Sequence, residues 1–193
     1  MKLFLPRIFL ALGLFGLGLA PLGAATLDLG AASAFTPYDR YMNTVKSVLS
    51  RLGSDAPDLN QVRELMREGR SFRYTYENPY LANPPEVTET RKAGDCKDKA
   101  LWLASRLNDP NLRYVIGKAN LNSEISHAWL YWKDSTNQWW ILDCTNKKEP
   151  VPVARIPSNE YVPLFSYSKS GAFRHNSSLQ NGARAVAAVS ADR

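Results

Sequence analysis

GDCKDKALWLASRL, residues 94 to 107, is the most informative stretch of this sequence and predicts a central helix. Asp95 can cap its N-terminus, because a carboxylate accepts hydrogen bonds from the unpaired amides of a first turn. Asp98 lies in that turn, where the helix dipole favours an anion. The predicted buried stripe comprises Ala100, Leu103, Ala104 and Leu107. One turn before Ala100 on this stripe is Cys96, so the cysteine is predicted to face the rest of the protein from the first turn.

The sequence before this helix predicts two further helices, over residues 36–52 and 58–69. Apolar residues recur at helical spacing after Thr36 and again after Asp58, and either residue can cap a helix. Residues 72–76 favour a short strand. The segment 78–90 contains three prolines, so we expect an ordered loop or a linker there.

The sequence after residue 110 changes from helical to extended patterning. Segments 112–118, 125–132 and 138–144 are rich in β-branched and aromatic residues and are separated by polar turns. Helices followed by antiparallel strands predict an α+β domain. Residues 149–163 can add a peripheral strand.

A hairpin between the last two of these segments would bring a histidine and an aspartate together. If residues 133–137 form its loop, His127 lies directly opposite Asp143, on the same face, with about 5 Å between β-carbons. The carboxylate would then accept a hydrogen bond from one ring nitrogen, fix the tautomer and leave the other nitrogen free to take a proton. A slip of one residue would place the two side chains on opposite faces.

Cys96 has the surroundings that thiol chemistry requires. The unpaired amides of a helix N-terminus stabilise a thiolate, and an adjacent imidazolium adds to that effect. A thiolate can attack a carbonyl carbon while the protonated imidazole supplies a proton to the leaving group. The backbone amide of Cys96 is the natural first donor to the developing oxyanion, and the sequence identifies no second donor. Cys96, His127 and Asp143 are therefore the candidate catalytic residues.

The second cysteine, Cys144, follows Asp143 and must point to the other surface of the sheet. If the Cys96 helix packs where His127 points, Cys144 cannot easily reach Cys96, and we predict a buried structural thiol. A disulfide is the alternative that an oxidising compartment would favour. A zinc site is disfavoured because residues 143 and 144 point apart. His175, alone near a polar tail, is expected at the surface.

Three motifs in this chain resemble those of the transglutaminase-like superfamily in order and spacing. They are GDCKDKA at residues 94–100, SHAW at 126–129 and WILDCT at 140–145, and PPEV at 84–87 is similar to the lead-in to the family's cysteine loop. The resemblance covers about residues 70–146. It implies a papain-like fold, with the cysteine helix packed on an antiparallel sheet, and a triad of Cys96, His127 and Asp143.

Two departures from the family pattern concern the candidate site. The family commonly has a tryptophan, sometimes assigned to the oxyanion hole, where this chain has residues 80–83, Tyr-Leu-Ala-Asn. Bacterial periplasmic cysteine peptidases of the superfamily often have an acidic residue just after the cysteine and bind calcium there, whereas this chain has Lys97. We therefore expect no cofactor, and Lys97 argues against calcium.

The resemblance implies an exported thiol hydrolase, a cysteine peptidase or amidase that forms a covalent acyl-enzyme with a protein or peptide substrate of the cell envelope. Two alternatives remain open. A protein-glutamine transglutaminase results if an amine, and not water, resolves the acyl-enzyme. A catalytically silent binding module of the envelope results if the fold serves only as a platform.

The two ends of the chain predict export and a single domain. Residues 1–25 carry two cations, an apolar run and a small-residue cleavage site, as a signal peptide does, although an uncleaved anchor is the alternative. We expect a domain over residues 35–175, a disordered tail over 176–193, a periplasmic or secreted location and no membrane span after cleavage. The net charge is +6, but the basic residues are scattered, which argues against a nucleic-acid partner.

Overall fold

The computed structural model describes residues 27–177 of the chain. The predicted signal peptide, 1–25, and all but the first two residues of the predicted tail, 176–193, lie outside the described residues. Within 27–177, none of the helices is long and apolar enough to cross a membrane.

Both helices predicted at the start of the domain are present, the first shorter than predicted and the second extending two residues beyond Gly69. The first, α1, spans Asn43–Ser50 and is preceded by a short 3-10 turn at Asp39–Tyr41. The second, α2, spans Leu59–Ser71, and the side chain of Asp58 accepts hydrogen bonds from two first-turn amides, as a cap of this kind should.

The prediction of a loop through residues 78–90 was wrong in its second half, because α3 spans Pro85–Arg91. Pro84 is the cap residue of this helix and Pro85 is its first residue. Proline is tolerated at these positions, since the first amides of a helix have no intrahelical partner to lose. The prolines here start a helix and do not prevent one.

The cysteine helix, α4, spans Cys96–Leu107 and lies at the centre of the domain. Asp95 caps it by accepting a hydrogen bond from the amide of Lys97, and Asp98 completes a capping box. Ten of its twelve residues are buried, more than the single apolar stripe predicted. A helix buried on nearly all sides must be covered by several elements, and here α1, α2, α3 and the sheet all contact it.

The described residues form a seven-stranded sheet and a separate two-stranded one. The strands are β1 Ala31–Ala32, β2 Arg73–Tyr74, β3 Ala93–Gly94, β4 Leu112–Asn120, β5 His127–Lys133, β6 Trp139–Leu142, β7 Val151–Pro152, β8 Glu160–Ser168 and β9 Gly171–Arg174. The large sheet has the order β1-β9-β8-β4-β5-β6-β7, with every neighbouring pair antiparallel, and β2 pairs with β3 in parallel. The α+β class with an antiparallel sheet is thus confirmed.

The region after residue 149 contributes more to the sheet than the sequence predicted. Strand β7 is peripheral, as expected, but β8 lies inside the sheet between β4 and β9. The pairing of β4 with β8 shifts register between Ile116 and Gly117, opposite Pro163. Proline within a strand is tolerated at such an irregularity, and its presence hides β8 from an alternation pattern.

The two faces of the sheet carry different partners, and this corrects the expected packing of α4. Side chains of Ala128, Leu130 and Leu142 belong to the core that also contains the helices. Trp129, Tyr131 and Ile141 lie in a second cluster on the opposite face, with Val115, Val153 and Tyr161. His127 stacks on Trp129 and so belongs to this second face. The expectation that α4 packs where His127 points was therefore wrong.

Candidate active site

Cys96 is the first residue of α4 and lies at the floor of a cleft of about 200 Å³. Only 8% of the residue is exposed. The parallel pairing of β2 with β3 brings residues 74–80 alongside the start of α4, and these residues form one wall of the cleft. Residues 124–126, just before β5, form the other. The thiol therefore lies at a helix N-terminus that a ligand can reach.

His127 is the first residue of β5, at the end of that strand nearest Cys96. The Cys96 side chain is near enough to the ring to raise the pKa of His127, and Nε2 of the ring lies 2.8 Å from Oδ2 of Asp143. Because Nε2 faces the carboxylate, Nδ1 is the nitrogen left for the thiol. The helix α4 packs on the opposite face of the sheet. Because His127 is at the very start of β5, its side chain can nevertheless lie beside the N-terminus of α4.

The predicted register of the hairpin was wrong by two residues. Tyr131 pairs with Ile141 and Lys133 with Trp139, so Asp143 lies beyond the end of β6 and is not directly opposite His127. The cause is Asp134, whose Oδ1 accepts hydrogen bonds from three donors of the turn and moves the loop one residue along the chain. A shift of two residues preserves the face to which each side chain points, and the hydrogen bond forms despite it.

Asp143 accepts four hydrogen bonds and is almost completely buried. Its Oδ2 accepts from the ring of His127 and, at 2.7 Å, from the hydroxyl of Tyr161. Its Oδ1 accepts from the backbone amides of Thr145 and Asn146. Burial alone would raise the pKa of Asp143, but the hydrogen bond and charge of His127, with the other donors, outweigh burial and lower the pKa. The carboxylate is held ionised and fixed in orientation.

Sequence reasoning missed Tyr161 and Asn146, whose amide nitrogen lies 3.1 Å from Nε2 of His127. The spacing from Asp143 to Asn146 is typical of a turn in which an aspartate caps the following amides, so Asn146 had a local signal. Tyr161 had none, because it comes from β8. Gly117 pairs with His127, and a Cβ at Gly117 would lie 2.2 Å from the carbonyl oxygen of Val162. Glycine there allows the close approach of β8 that brings Tyr161 to Asp143.

Interactions with its neighbours raise the pKa of His127 to about 10. Burial opposes protonation, but the hydrogen bonds to Asp143 and Cys96, and the charges of both, favour the imidazolium more strongly. The ring is therefore held as the imidazolium at neutral pH, which places a positive charge and a proton beside Cys96.

The chain contains two histidines, and we expect them to titrate on opposite sides of pH 6.5. His175 is fully buried and its Nε2 lies 2.9 Å from Oγ of Ser166, so its predicted surface location was wrong. Burial lowers the pKa of His175, whereas the pKa of His127 is raised to about 10. NMR titration of the ring protons should resolve one midpoint below 6.5 and one near 10. Two midpoints close to 6.5 would contradict the described surroundings.

The pKa shifts of His127 and His175 make the free energy of unfolding depend on pH in opposite directions. A histidine whose pKa is raised on folding contributes stability that is complete below the unfolded pKa and is lost as pH rises through the folded pKa, here about 10. A histidine whose pKa is lowered makes the fold less stable as pH falls below 6.5. The combined contribution of the two histidines to the free energy of unfolding should therefore be most favourable near pH 6.5, where the loss due to His175 has ended and the contribution of His127 is still nearly complete.

Cys144 is a buried free thiol, as predicted, but for a different reason. Both cysteines are free. The Sγ of Cys144 points toward the helices and lies 3.8 Å from the carbonyl oxygen of Lys99, so it shares the packed face of α4 with Cys96 and is not separated from it by the sheet. Burial raises the pKa of Cys144 to about 12, which keeps this thiol protonated and unreactive.

A cysteine at the start of a central helix, beside a histidine and an aspartate from an antiparallel sheet, is the arrangement expected of the predicted papain-like fold. Solved structures with similar folds include those of LapG from Legionella pneumophila. The calcium-bound form is 18% identical, with a TM-score of 0.53, over 72% of this chain and 77% of that one. The EGTA-treated form is 16% identical, with a TM-score of 0.53, over 81% and 88%.

A further LapG structure gives 16% identity and a TM-score of 0.52, over 81% of this chain and 88% of that one. No protein-family model matches the sequence, and no curated protein sequence matches it. At these identities the likeness concerns the fold, and it confirms the predicted papain-like, transglutaminase-like core.

The residues beside Cys96 do not fit a calcium ion. The position after the cysteine is Lys97, whose ammonium donates to the carbonyl oxygen of Glu77 and to the carboxylate of Asp95. Calcium requires six to eight oxygen ligands, and here a cation of the chain already occupies those oxygens. Within residues 27–177 no group of three or more acidic, histidine or cysteine side chains could hold a metal ion.

Proposed function

We propose that this chain is an exported thiol hydrolase, a cysteine peptidase or amidase that cleaves amide bonds of protein or peptide substrates in the cell envelope. The observation that carries the proposal is that Cys96 lies beside His127, whose ring in turn hydrogen-bonds the carboxylate of Asp143. Nucleophile, base and orienting carboxylate are arranged in the order that acyl transfer requires. Water is always available to resolve an acyl-enzyme, which favours hydrolysis over amine transfer.

The proposed reaction uses the thiolate of Cys96 and the imidazolium of His127. The Sγ of Cys96 attacks the carbonyl carbon, the carbon–nitrogen bond breaks, and His127 gives its proton to the departing amine. The ring, now neutral, takes a proton from water as the water oxygen attacks the thioester. The thioester bond breaks, the acid is released and the thiolate is restored. Asp143 keeps the ring in one tautomer throughout.

Tyr80 is the candidate for the second oxyanion donor, beside the amide of Cys96. Its hydroxyl is buried, has no hydrogen-bond partner among the described residues, and belongs to a side chain that lines the same cleft as Cys96. A buried hydroxyl without a partner is costly unless a ligand supplies one. An oxyanion formed at the thioester carbon would be such a partner.

We expect Tyr80→Phe to lower kcat by about 10²-fold with little change in KM, because an oxyanion donor acts mainly in the transition state. The measurement is steady-state cleavage of a peptide substrate by folded protein. Tyr76→Phe is the matched control, since Tyr76 lines the same cleft but is 68% exposed. Equal effects of both substitutions would remove Tyr80 from the oxyanion site.

The cleft has the character of a groove for an extended peptide. Its walls include the exposed side chains of Tyr74, Tyr76 and Ile125, together with the carboxylates of Glu77 and Glu124. Exposed aromatic and aliphatic groups supply contact area for a peptide, and the acids favour a segment that is not itself acidic.

Selective alkylation tests whether Cys96 is an activated nucleophile. At mildly acidic pH we expect iodoacetamide to label Cys96 and leave Cys144 unmodified, because only Cys96 lies beside an imidazolium at a helix N-terminus. Peptide mapping by mass spectrometry gives the ratio, and urea-unfolded protein, in which both thiols are exposed, is the control. Equal inertness of both thiols in the folded protein would contradict the proposal.

Casein with a fluorescent amine then separates the alternatives. Casein fragments without incorporated label support the hydrolase. Incorporated label without fragments would favour a protein-glutamine transglutaminase. Neither product, from protein in which Cys96 is labelled selectively, would favour a binding module.

A further inference from the structure

Lys97, next to the candidate nucleophile, is a buried cation surrounded by oxygen atoms. Only 2% of the residue is exposed. Its Nζ lies 2.8 Å from the carbonyl oxygen of Glu77, donates a second hydrogen bond to the carboxylate of Asp95, and lies 5.8 Å from the ring centroid of Tyr80. A lysine is almost never this deeply buried unless it is paired.

The oxygens near Lys97 include two buried carboxylates. Asp95 is 2% exposed and Asp98 is fully buried. Asp98 accepts hydrogen bonds from the amides of Asn83 and Asp95, at 2.7 and 3.1 Å. Burial raises the pKa of Asp98, and the adjacent charge of Asp95 adds to this, whereas Lys97 acts in the opposite direction. Two neighbouring buried anions need a counter-charge, and Lys97 supplies it.

The same contacts hold one wall of the cleft in place. The backbone amide of Glu77 donates to Asp95 and its carbonyl oxygen accepts from Lys97, so both backbone polar groups of Glu77 join the segment that leads to Tyr80 to the start of α4. If this segment moved away from α4, Tyr80 would no longer line the cleft in which Cys96 lies.

Oxygen groups of this kind, carboxylates with a backbone carbonyl, are those that calcium takes in proteins, and LapG has been solved both calcium-bound and EGTA-treated. We propose that the ammonium of Lys97 is a built-in cation that performs the structural role of a bound calcium ion, so that the cleft assembles without metal. Lys97 is thus a positioning residue for Tyr80 and Cys96. The inference rests on the proposed function in assigning roles to those two residues.

The first test compares the wild-type protein in EGTA and in calcium at about 1 mM, a concentration at which extracellular calcium modules bind. We expect the same melting temperature and the same rate of Cys96 alkylation in both buffers, because the oxygens are already occupied. A rise in melting temperature of about 5 °C on adding calcium, the size expected for a ligand well above its Kd, would overturn the inference. So would a loss of alkylation in EGTA.

Two substitutions separate the charge of Lys97 from the space it fills. Lys97→Met keeps the volume without the charge, so we expect alkylation of Cys96 to slow at least about 10-fold in both buffers. Lys97→Ala opens the space, so we expect slow alkylation in EGTA and partial recovery, with a higher melting temperature, in calcium. If both variants label at the wild-type rate, or if calcium has no effect on Lys97→Ala, the inference is wrong.

Neither readout depends on a substrate. A protein that cleaves no peptide but responds to these changes as described would refute the proposed function and leave this inference standing. If Lys97→Ala does not fold in EGTA, refolding in calcium replaces the melting experiment. Recovery of folded protein supports the built-in cation, and failure to recover it contradicts the exchange of ammonium for calcium.

Discussion

Cys96→Ala is expected to lower kcat/KM by at least about 10⁴-fold, because loss of the nucleophile removes the covalent pathway and leaves only the binding and electrostatic contributions of the site. The melting temperature should change little, since the thiol lies at the edge of the core and faces the cleft. The measurement is peptide cleavage under single-turnover conditions, which does not depend on product release.

Cys144→Ala is the matched control for this experiment. Cys144 is 2% exposed and points toward the helices, so its substitution should destabilise the fold by about 1 kcal/mol through the lost packing and leave kcat nearly unchanged. The comparison separates a nucleophile from a structural thiol. If Cys96→Ala retains activity and Cys144→Ala loses it, the nucleophile has been assigned to the wrong cysteine.

Asp143→Asn is expected to lower kcat by about 10² to 10⁴-fold and to reduce the free energy of unfolding by about 1 to 3 kcal/mol. The carboxylate accepts four hydrogen bonds, and an amide offers a single acceptor oxygen. Whichever way the amide turns, its NH₂ group meets donors. The ring of His127 loses the partner that fixes its tautomer, and at least one buried donor is left without an acceptor.

The experiment combines cleavage kinetics, thermal unfolding and the NMR titration of His127. The titration midpoint of His127, about 10 in the wild type, should fall markedly in Asp143→Asn because the carboxylate is the first of the groups that raise this pKa. A structural role alone would lower stability without moving that midpoint. An unchanged midpoint together with wild-type kcat would remove Asp143 from the site.

Tyr161→Phe is the graded control, because it removes one of the four hydrogen bonds and keeps the contact with His127. We expect a loss of about 1 kcal/mol in stability and a smaller effect on kcat than that of Asp143→Asn. The pH dependence follows from the lowered pKa of Asp143. The stability it contributes is complete above its unfolded pKa and is lost as pH falls through the folded value.

The helix ends show how far local sequence rules reach. Asp58 and Asp95 cap α2 and α4 as predicted, because capping depends on a side chain and the amides two or three residues after it. The prediction of a loop over residues 78–90 was wrong in its second half for a related reason. Proline disrupts a helix interior but is compatible with a first turn, and whether α3 forms after Pro84 depends on its packing against α4.

The hairpin shows where local rules stop. The alternation of strand residues placed His127 and Asp143 on one face, and this survived an error of two residues in register because the side-chain period is two. The alternation of strand residues did not predict which face of the sheet α4 would cover. That depends on which of two apolar surfaces the helices bury, and Trp129 and Leu130 are equally suited to burial by composition.

The sequence by itself determined the candidate nucleophile at a capped helix N-terminus, and a histidine and an aspartate on the same face of a hairpin. Both follow from backbone periodicity and capping over a few residues. Only the tertiary structure decided that Tyr161 would reach Asp143, that Cys144 would face the helices, and that the ammonium of Lys97 would fill an oxygen-lined space beside Cys96. These contacts join residues far apart along the chain, and their free energy depends on burial, which no local pattern specifies.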